Sequence, residues 1–294
     1  MPVVSVNLPL IAMSHLRLPI LALLLAGSLA QAETQLTVAG SGSLVAPFSG
    51  AASLLKQQGI TLKVVNDSSS SAAIAGVGEK LCDLALSTRS VLPAERAAFP
   101  DKPMAETVIG YQALALIVSN DVWEGGIRSL SRKEIIDIYE GKITEWKKLG
   151  GPDRKIKFFN PERGKGPWEF FVGWLYGEVR KAPVGSQFET VASPEETANL
   201  VEFNGGSLAV IPPNHADGKG THMIAIRLDD GSLVLPTPDA VRKQHYPLER
   251  PVVVVTAFRP SGPYKTAIDF MLSAQGQEFV RKADIVPFAD EAAE

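Results

Sequence analysis

Residues 35–43 read QLTVAGSGS: a short run rich in apolar and β-branched residues, then four small ones. The first part suits a strand and the second a tight polar turn. A helix is expected next, with Leu44, Phe48, Ala51 and Leu55 on one face, closing at Gly59. Thr61 to Val65 repeats the strand signal. Asp67 and the serines through Ser71 repeat the turn, and an Ala-rich helix follows from about Ala72 to Leu81. Asp83 to Ser87 gives a third strand, which runs out into Thr88 and Arg89. Strands alternating with helices predict an α/β fold with a parallel sheet. Ligands of such sheets bind at the carboxyl ends of the strands. The Ser41/Ser43, Ser70/Ser71 and Thr88/Arg89 turns are therefore expected on one edge. Hydroxyls donate to an anion without adding charge, and arginine adds a fork of N–H donors. Singly, each serine also suits a helix N-cap; three such turns on one edge favour a binding site.

Further along, Val108 to Val118 is a long apolar run, broken by Gly110-Tyr111-Gln112, that suits a central strand leaving the first lobe near 119–121. Ser131 with Glu134 forms a capping box whose helix ends at Gly141. Ile156 to Phe159 is a strand. Ser193 with Glu196, and Pro194 between them, opens another helix, and Ser207 to Ile211 and Pro251 to Val255 are further buried strands. Thr266 to Lys282 reads as one closing amphipathic helix with Ile268, Met271, Leu272 and Phe279 inward. The expected layout is two α/β lobes, 33–119 plus 246–294 and 120–245, joined by a hinge around an interlobe ligand cleft.

The segment from Asn160 to Leu175 reads NPERGKGPWEFFVGWL. Trp168, Phe171, Val172 and Leu175 recur at helical spacing, and Pro167 suits the first turn. Arg163 and Lys165 place cations at the positive end of that helix, which an anion on the free N–H groups would offset. Gly164 and Gly166 let backbone approach a bound group. A glycine loop capping a buried aromatic helix, with two solvated cations, is the alternative reading. Nothing fits the nucleotide-binding pattern G-x-x-x-x-G-K-[ST].

The 294 residues carry a net charge of −3 and 45% hydrophobic content, which excludes a basic nucleic-acid field and supports large cores. Arg17, the apolar run from Leu18 to Leu29 and Ala30-Gln31-Ala32 read as a secretory signal peptide over 1–32, with Met13 the better start. Cys82 is the single cysteine, so no intramolecular disulfide forms, and a small buried hydrophobe is its expected role.

Several of these segments are similar to one family. Gly40–Ser43, Ser70/Ser71 and the Ser87-Thr88-Arg89 turn resemble the anion turns of solute-binding proteins from phosphate-uptake ABC transporters. The run from Ile135 to Trp146 resembles that family's D-I-Y-x-G-K-I-x-x-W segment. Arg163 to Pro167 sits where the family has a G-S-G-T loop, and Tyr246 to Pro251 resembles its hinge return. The resemblance implies a type II periplasmic binding fold, a phosphate or similar oxyanion as ligand, and an ABC permease as partner. It implies ligand contacts from Ser43, Leu44 (through its N–H), Ser70, Ser71, Thr88, Arg89, Arg163, Gly164, Lys165 and Gly166. Departures are Lys165 for a Ser, Pro167 for a Thr, Pro161 for an Arg (with Arg163 the nearby substitute), and Thr88 where phosphate binders commonly have an Asp; Glu162 is the candidate replacement acceptor. A periplasmic monomer without cofactor, metal or catalytic residues is expected. The rivals are another anion, a surface protein without transport, and a secreted phosphoesterase. The last lacks a G-x-S-x-G elbow and any metal-spaced histidines.

Overall fold

The computed structural model describes residues 1–2 and 33–289, apart from 67, 164, 165, 179–182, 184–188, 192, 217 and 219. The expected signal segment thus lies outside the described residues, save for its first two. The chain runs β1 (Thr34–Ala39), α1 (Gly42–Gln57), β2 (Ile60–Val65), α2 (Ser70–Gly78), β3 (Leu84–Ser87), α3 (Pro93–Ala98) and β4 (Ala105–Ala113). Next come β5 (Ala115–Ser119), α4 (Asn120–Glu124), β6 (Ser129–Ser131), α5 (Arg132–Tyr139), β7 (Lys157–Pro161) and α6 (Gly166–Tyr176). Then follow β8 (Glu189–Val191), α7 (Pro194–Phe203), β9 (Ser207–Ile211), β10 (Thr221–Arg227), β11 (Leu233–Val234) and α8 (Pro238–Arg242). The chain closes with β12 (Glu249–Thr256), α9 (Gly262–Leu272), α10 (Ala274–Lys282) and β13 (Ile285–Pro287).

These strands form two sheets, one per lobe. The first has the order β13-β4-β12-β3-β1-β2, in which β1, β2 and β3 are parallel and β12 runs antiparallel to β3. The valine run in β12 shows why it reads as continuous rather than alternating. Val252 and Val254 join the core under α1, α9 and α10, while Val253 and Val255 join the core on the α2 side. A strand covered on both faces needs apolar residues at every position. The second sheet has the order β11-β10-β5-β9-β7-β8, with β6 paired to β10.

The chain passes between sheets at Leu114, earlier than the 119–121 crossing expected from sequence. The apolar run 108–118 is two strands, β4 in the first sheet and β5 in the second. β5 is buried throughout, while in β4 Ile109, Gly110 and Ala113 are buried and the rest half-buried; apolar residues stand on both sides of Leu114, so hydrophobicity alone does not mark the break. The second crossing returns at 245–248, and the two are bonded together. Leu114 N–H donates to Leu248 O at 3.1 Å, and the buried Tyr246 hydroxyl donates to Leu114 O at 2.8 Å. The single closing helix expected over 266–282 is also two. Ser273 ends α9 and caps α10 by accepting from Gly276 N–H at 3.2 Å, and Gly276 packs so tightly on the Phe270 carbonyl that a Cβ would lie 1.9 Å from it. Among the described residues no helix is long and apolar enough to cross a membrane.

Tyr246→Phe leaves the Leu114 carbonyl without its donor inside the protein. We expect a loss of about 1–2 kcal/mol in urea unfolding, the cost of an unsatisfied buried acceptor; an unchanged midpoint would remove this bond from the hinge.

Candidate functional site

The parallel register of β1, β2 and β3 puts their carboxyl ends on one edge, as expected. Gly40 ends β1 against β3, where an added Cβ would meet Leu86 Cβ at 2.9 Å. Its carbonyl accepts from Ser68 N–H at 3.2 Å, which ties the first turn to the second. Ser41 is the N-cap of α1, yet its side chain makes no cap bond. Gly42 has open space around it and Ser43 is exposed, so the first N–H groups of a sixteen-residue helix open onto this edge. Leu44 does not fit its expected role: its N–H donates to Ser41 O at 2.9 Å and its side chain is buried.

The second and third turns are knitted together. Ser69, not Ser70, caps α2, accepting from Ala72 N–H. That leaves the Ser70 hydroxyl to accept from Thr88 N–H at 3.2 Å and the Ser71 hydroxyl to accept from Arg89 Nη2 at 2.8 Å. Arg89 is not a free fork. Its Nη1 and Nη2 donate to Glu95 at 2.9 and 2.7 Å. The Arg89 hydrogen bond is the main reason the Glu95 carboxyl is held down at about 2. Glu95 lies six residues beyond the turn, on a short helix that the sequence reading did not enter. The pair cancels the charge expected at this edge.

Across the cleft, the Tyr139 hydroxyl of α5 holds both ends of the 161–166 loop. It accepts from Asn160 Nδ2 at 3.4 Å before the loop and from Trp168 Nε1 at 3.2 Å after it. Pro167 falls in the first turn of α6, as expected. Arg163 is exposed, donates to Pro183 O at 3.3 Å and lies 5.0 Å from the Trp168 ring centre. Gly166 has open space around it and Glu162 is exposed. Gly164 and Lys165 lie outside the described residues.

Two polar residues that sequence reading missed connect the lobes. Gln112 at the end of β4 faces Arg250 at the start of β12 in the antiparallel ladder. Gln112 donates from Nε2 to Ser43 Oγ at 3.3 Å and accepts from Arg250 Nε at 2.9 Å. The Arg250 guanidinium stacks over Phe170 of α6 at 4.3 Å. A cavity of about 320 Å³ lies instead at the opposite edge of the first sheet, lined by Cys82, Asp83, Phe258 and Arg259 among others; none of the expected residues lines it. Cys82 is buried, as expected, and burial pushes its thiol up to about 11.

A family model described as a PBP superfamily domain matches residues 27–275. The chain belongs to the PBP superfamily. It is 27% identical over 221 residues to the phosphate-binding protein PstS of Borreliella burgdorferi, covering 72% of this chain and 75% of that one. Other curated relatives, also phosphate-binding proteins, are matched over about half their length. The crystal structure of PstS from Borrelia burgdorferi superposes with a TM-score of 0.72 at 22% identity, over 88% of this chain and all of that one. A phosphate ABC transporter substrate-binding protein of Clostridium perfringens, solved with bound phosphate, gives 0.60 at 25% identity over 86% and 99% of the two chains. The fold is the type II periplasmic binding fold, with two lobes and a hinge.

Within this PBP chain, Glu249 is a partly buried carboxyl beside the hinge. Its Oε2 has no hydrogen-bond partner, and burial pushes its pKa from 4.5 up to about 7. A raised carboxyl favours the folded state while protonated, so its contribution is full below pH 4.5 and is lost as pH rises through about 7. Glu249→Gln should therefore flatten the fall in melting temperature between pH 4.5 and 8; parallel curves for both proteins would contradict this.

Proposed function

We propose that this protein is exported and captures an inorganic oxyanion, phosphate foremost, between its lobes for delivery to an ABC importer. The observation that carries this reading is the gathering of Ser43, Ser70, Ser71, Thr88 and Arg89 on one sheet edge opposite the start of α6. Hydroxyls and helix N–H groups dominate that edge, a donor set suited to oxygen atoms and poor for apolar solutes. Arg163 and Gly166 stand across from that edge, and the sequence places Gly164 and Lys165 between them. The relatives named above are phosphate-binding proteins, and the N-terminal 32 residues read as an export signal; both favour capture over catalysis. The protein acts as a monomer that closes about its hinge.

Selection among anions is the open part of the chemistry, and one observation favours a second reading, a different oxyanion on the same scaffold. Thr88 offers no carboxylate to accept the proton of hydrogen phosphate, and Glu162 is exposed.

Calorimetric titration of ligand-stripped protein with phosphate, sulfate, arsenate and molybdate at pH 6 and 8 tests both readings. Phosphate binding with sulfate rejected is expected. Preference for fully ionised anions would support the second reading, and no binding by any of the four would end the first. Arg163→Ala should weaken phosphate binding by ~1.5–3 kcal/mol, the loss of one charge-assisted bond. An unchanged dissociation constant removes Arg163 from the site.

A further inference from the structure

Arg250 differs from the other arginines of the cleft in what balances its charge. Arg89 has a bidentate carboxylate partner, and Arg163 is exposed to solvent. Arg250 is partly buried, and among the described residues it makes no ion pair. Its Nε is committed to Gln112 and one face to Phe170, while Glu169 acts on it only at longer range. Withdrawal from water pushes its guanidinium down to about 10. A cation removed from water without a counter-ion is costly, and structures resolve the cost by pairing it.

The neighbouring hydrogen bonds show where a partner would sit. The Ser43 oxygen accepts from Gln112 Nε2, so the Ser43 O–H remains available to donate elsewhere. Ser43 stands in the first turn of α1, whose early N–H groups lack intrahelical partners. An oxygen placed there receives the hydroxyl and the amides within reach of the field of Arg250. Arg250 itself rides on a strand of the first sheet and stacks on a helix of the second lobe.

We propose that Arg250 is the charge-compensating residue of the cleft: a bound oxyanion is its counter-ion, and Gln112 orients the Ser43 hydroxyl to donate to that anion. This rests on the anion-binding reading above. Neutral and zwitterionic solutes are excluded by the same balance, because neither cancels the charge. Since Arg250 touches both lobes, the anion that neutralises it also favours the closed arrangement.

The test uses the full mature protein, Arg250→Met and Gln112→Glu, with inorganic phosphate as probe. Melting temperature is read with and without phosphate, and the dissociation constant is read at low and high salt. Arg250→Met should keep or raise the melting temperature of the ligand-free protein, weaken phosphate binding about tenfold or more, and reduce the salt dependence. Gln112→Glu supplies a carboxylate beside Arg250 and should likewise raise ligand-free stability while weakening binding. Wild-type affinity in Arg250→Met, or a fall in ligand-free stability with affinity retained, overturns the proposal and leaves the anion-binding reading in place. Failure of the wild-type protein to bind phosphate, sulfate, arsenate or molybdate overturns both.

Discussion

The two lobes depend on what happens at Leu114. It is the one residue between β4 and β5, and both of its backbone groups are tied to the returning segment, by Leu248 O and by the Tyr246 hydroxyl. A crossing this short leaves little slack, so β4 and β12 are held side by side up to the hinge itself. Gln112 and Arg250 each lie two residues from a bonded hinge residue, Leu114 and Leu248. Their pairing follows from the register that those bonds impose. The polar link between lobes is thus a consequence of the crossing, reached through the ladder rather than through any loop.

The electrostatics of the cleft divide along the same line. On the first-lobe edge the charge of Arg89 is cancelled by Glu95, and the Ser70 and Ser71 hydroxyls bind the turn together. That edge is cross-linked by hydrogen bonds, and its one arginine is paired. Among the described residues, Arg250 makes no ion pair, and Arg163 before α6 is exposed. On the proposed reading, an anion there would meet hydroxyls and amides of the first-lobe edge and the charge of Arg250. Preorganised donors of this kind cost little reorganisation on binding, because their partners already hold them in place.

Much of the fold was legible because local patterns agree with global ones. The two strand-turn-helix units, the third strand with its turn, the Ser131/Glu134 capping box and the return at Tyr246 carry signals within a few residues of one another. The crossing at Leu114 was not legible, since residues 113–118 are apolar on both sides of it and a sheet change within such a run leaves no mark. The break at Ser273 was hidden for a similar reason: α9 and α10 both bury apolar residues in the first-lobe core. The placing of Ser43, Ser70, Ser71 and Thr88 on one sheet edge followed from residue type and turn position. Arg250 was seen only as part of the hinge segment. Its partner Gln112 is 138 residues away in sequence, a distance no local pattern spans. Glu95 escaped because a carboxylate in a short exposed helix looks like surface until its fork with Arg89 is seen.

The segment most similar to the phosphate-uptake family, Ile135 to Trp146, reaches no proposed ligand contact. Trp146 is buried with its Nε1 donating to Gly206 O at 2.9 Å, and Tyr139 clamps Asn160 and Trp168. Tyr139 anchors β7 and α6 and Trp146 anchors the approach to β9, so the segment fixes where the loop between β7 and α6 stands without specifying what the loop holds. The departures from the family pattern fall elsewhere, at Thr88, Pro161, Lys165 and Pro167, on the turn and loop expected to face the ligand. Scaffold and specificity are therefore separable in this chain. Resemblance that resides in the clamp carries the fold and places the cleft, while the choice of ligand would rest with the residues that line it.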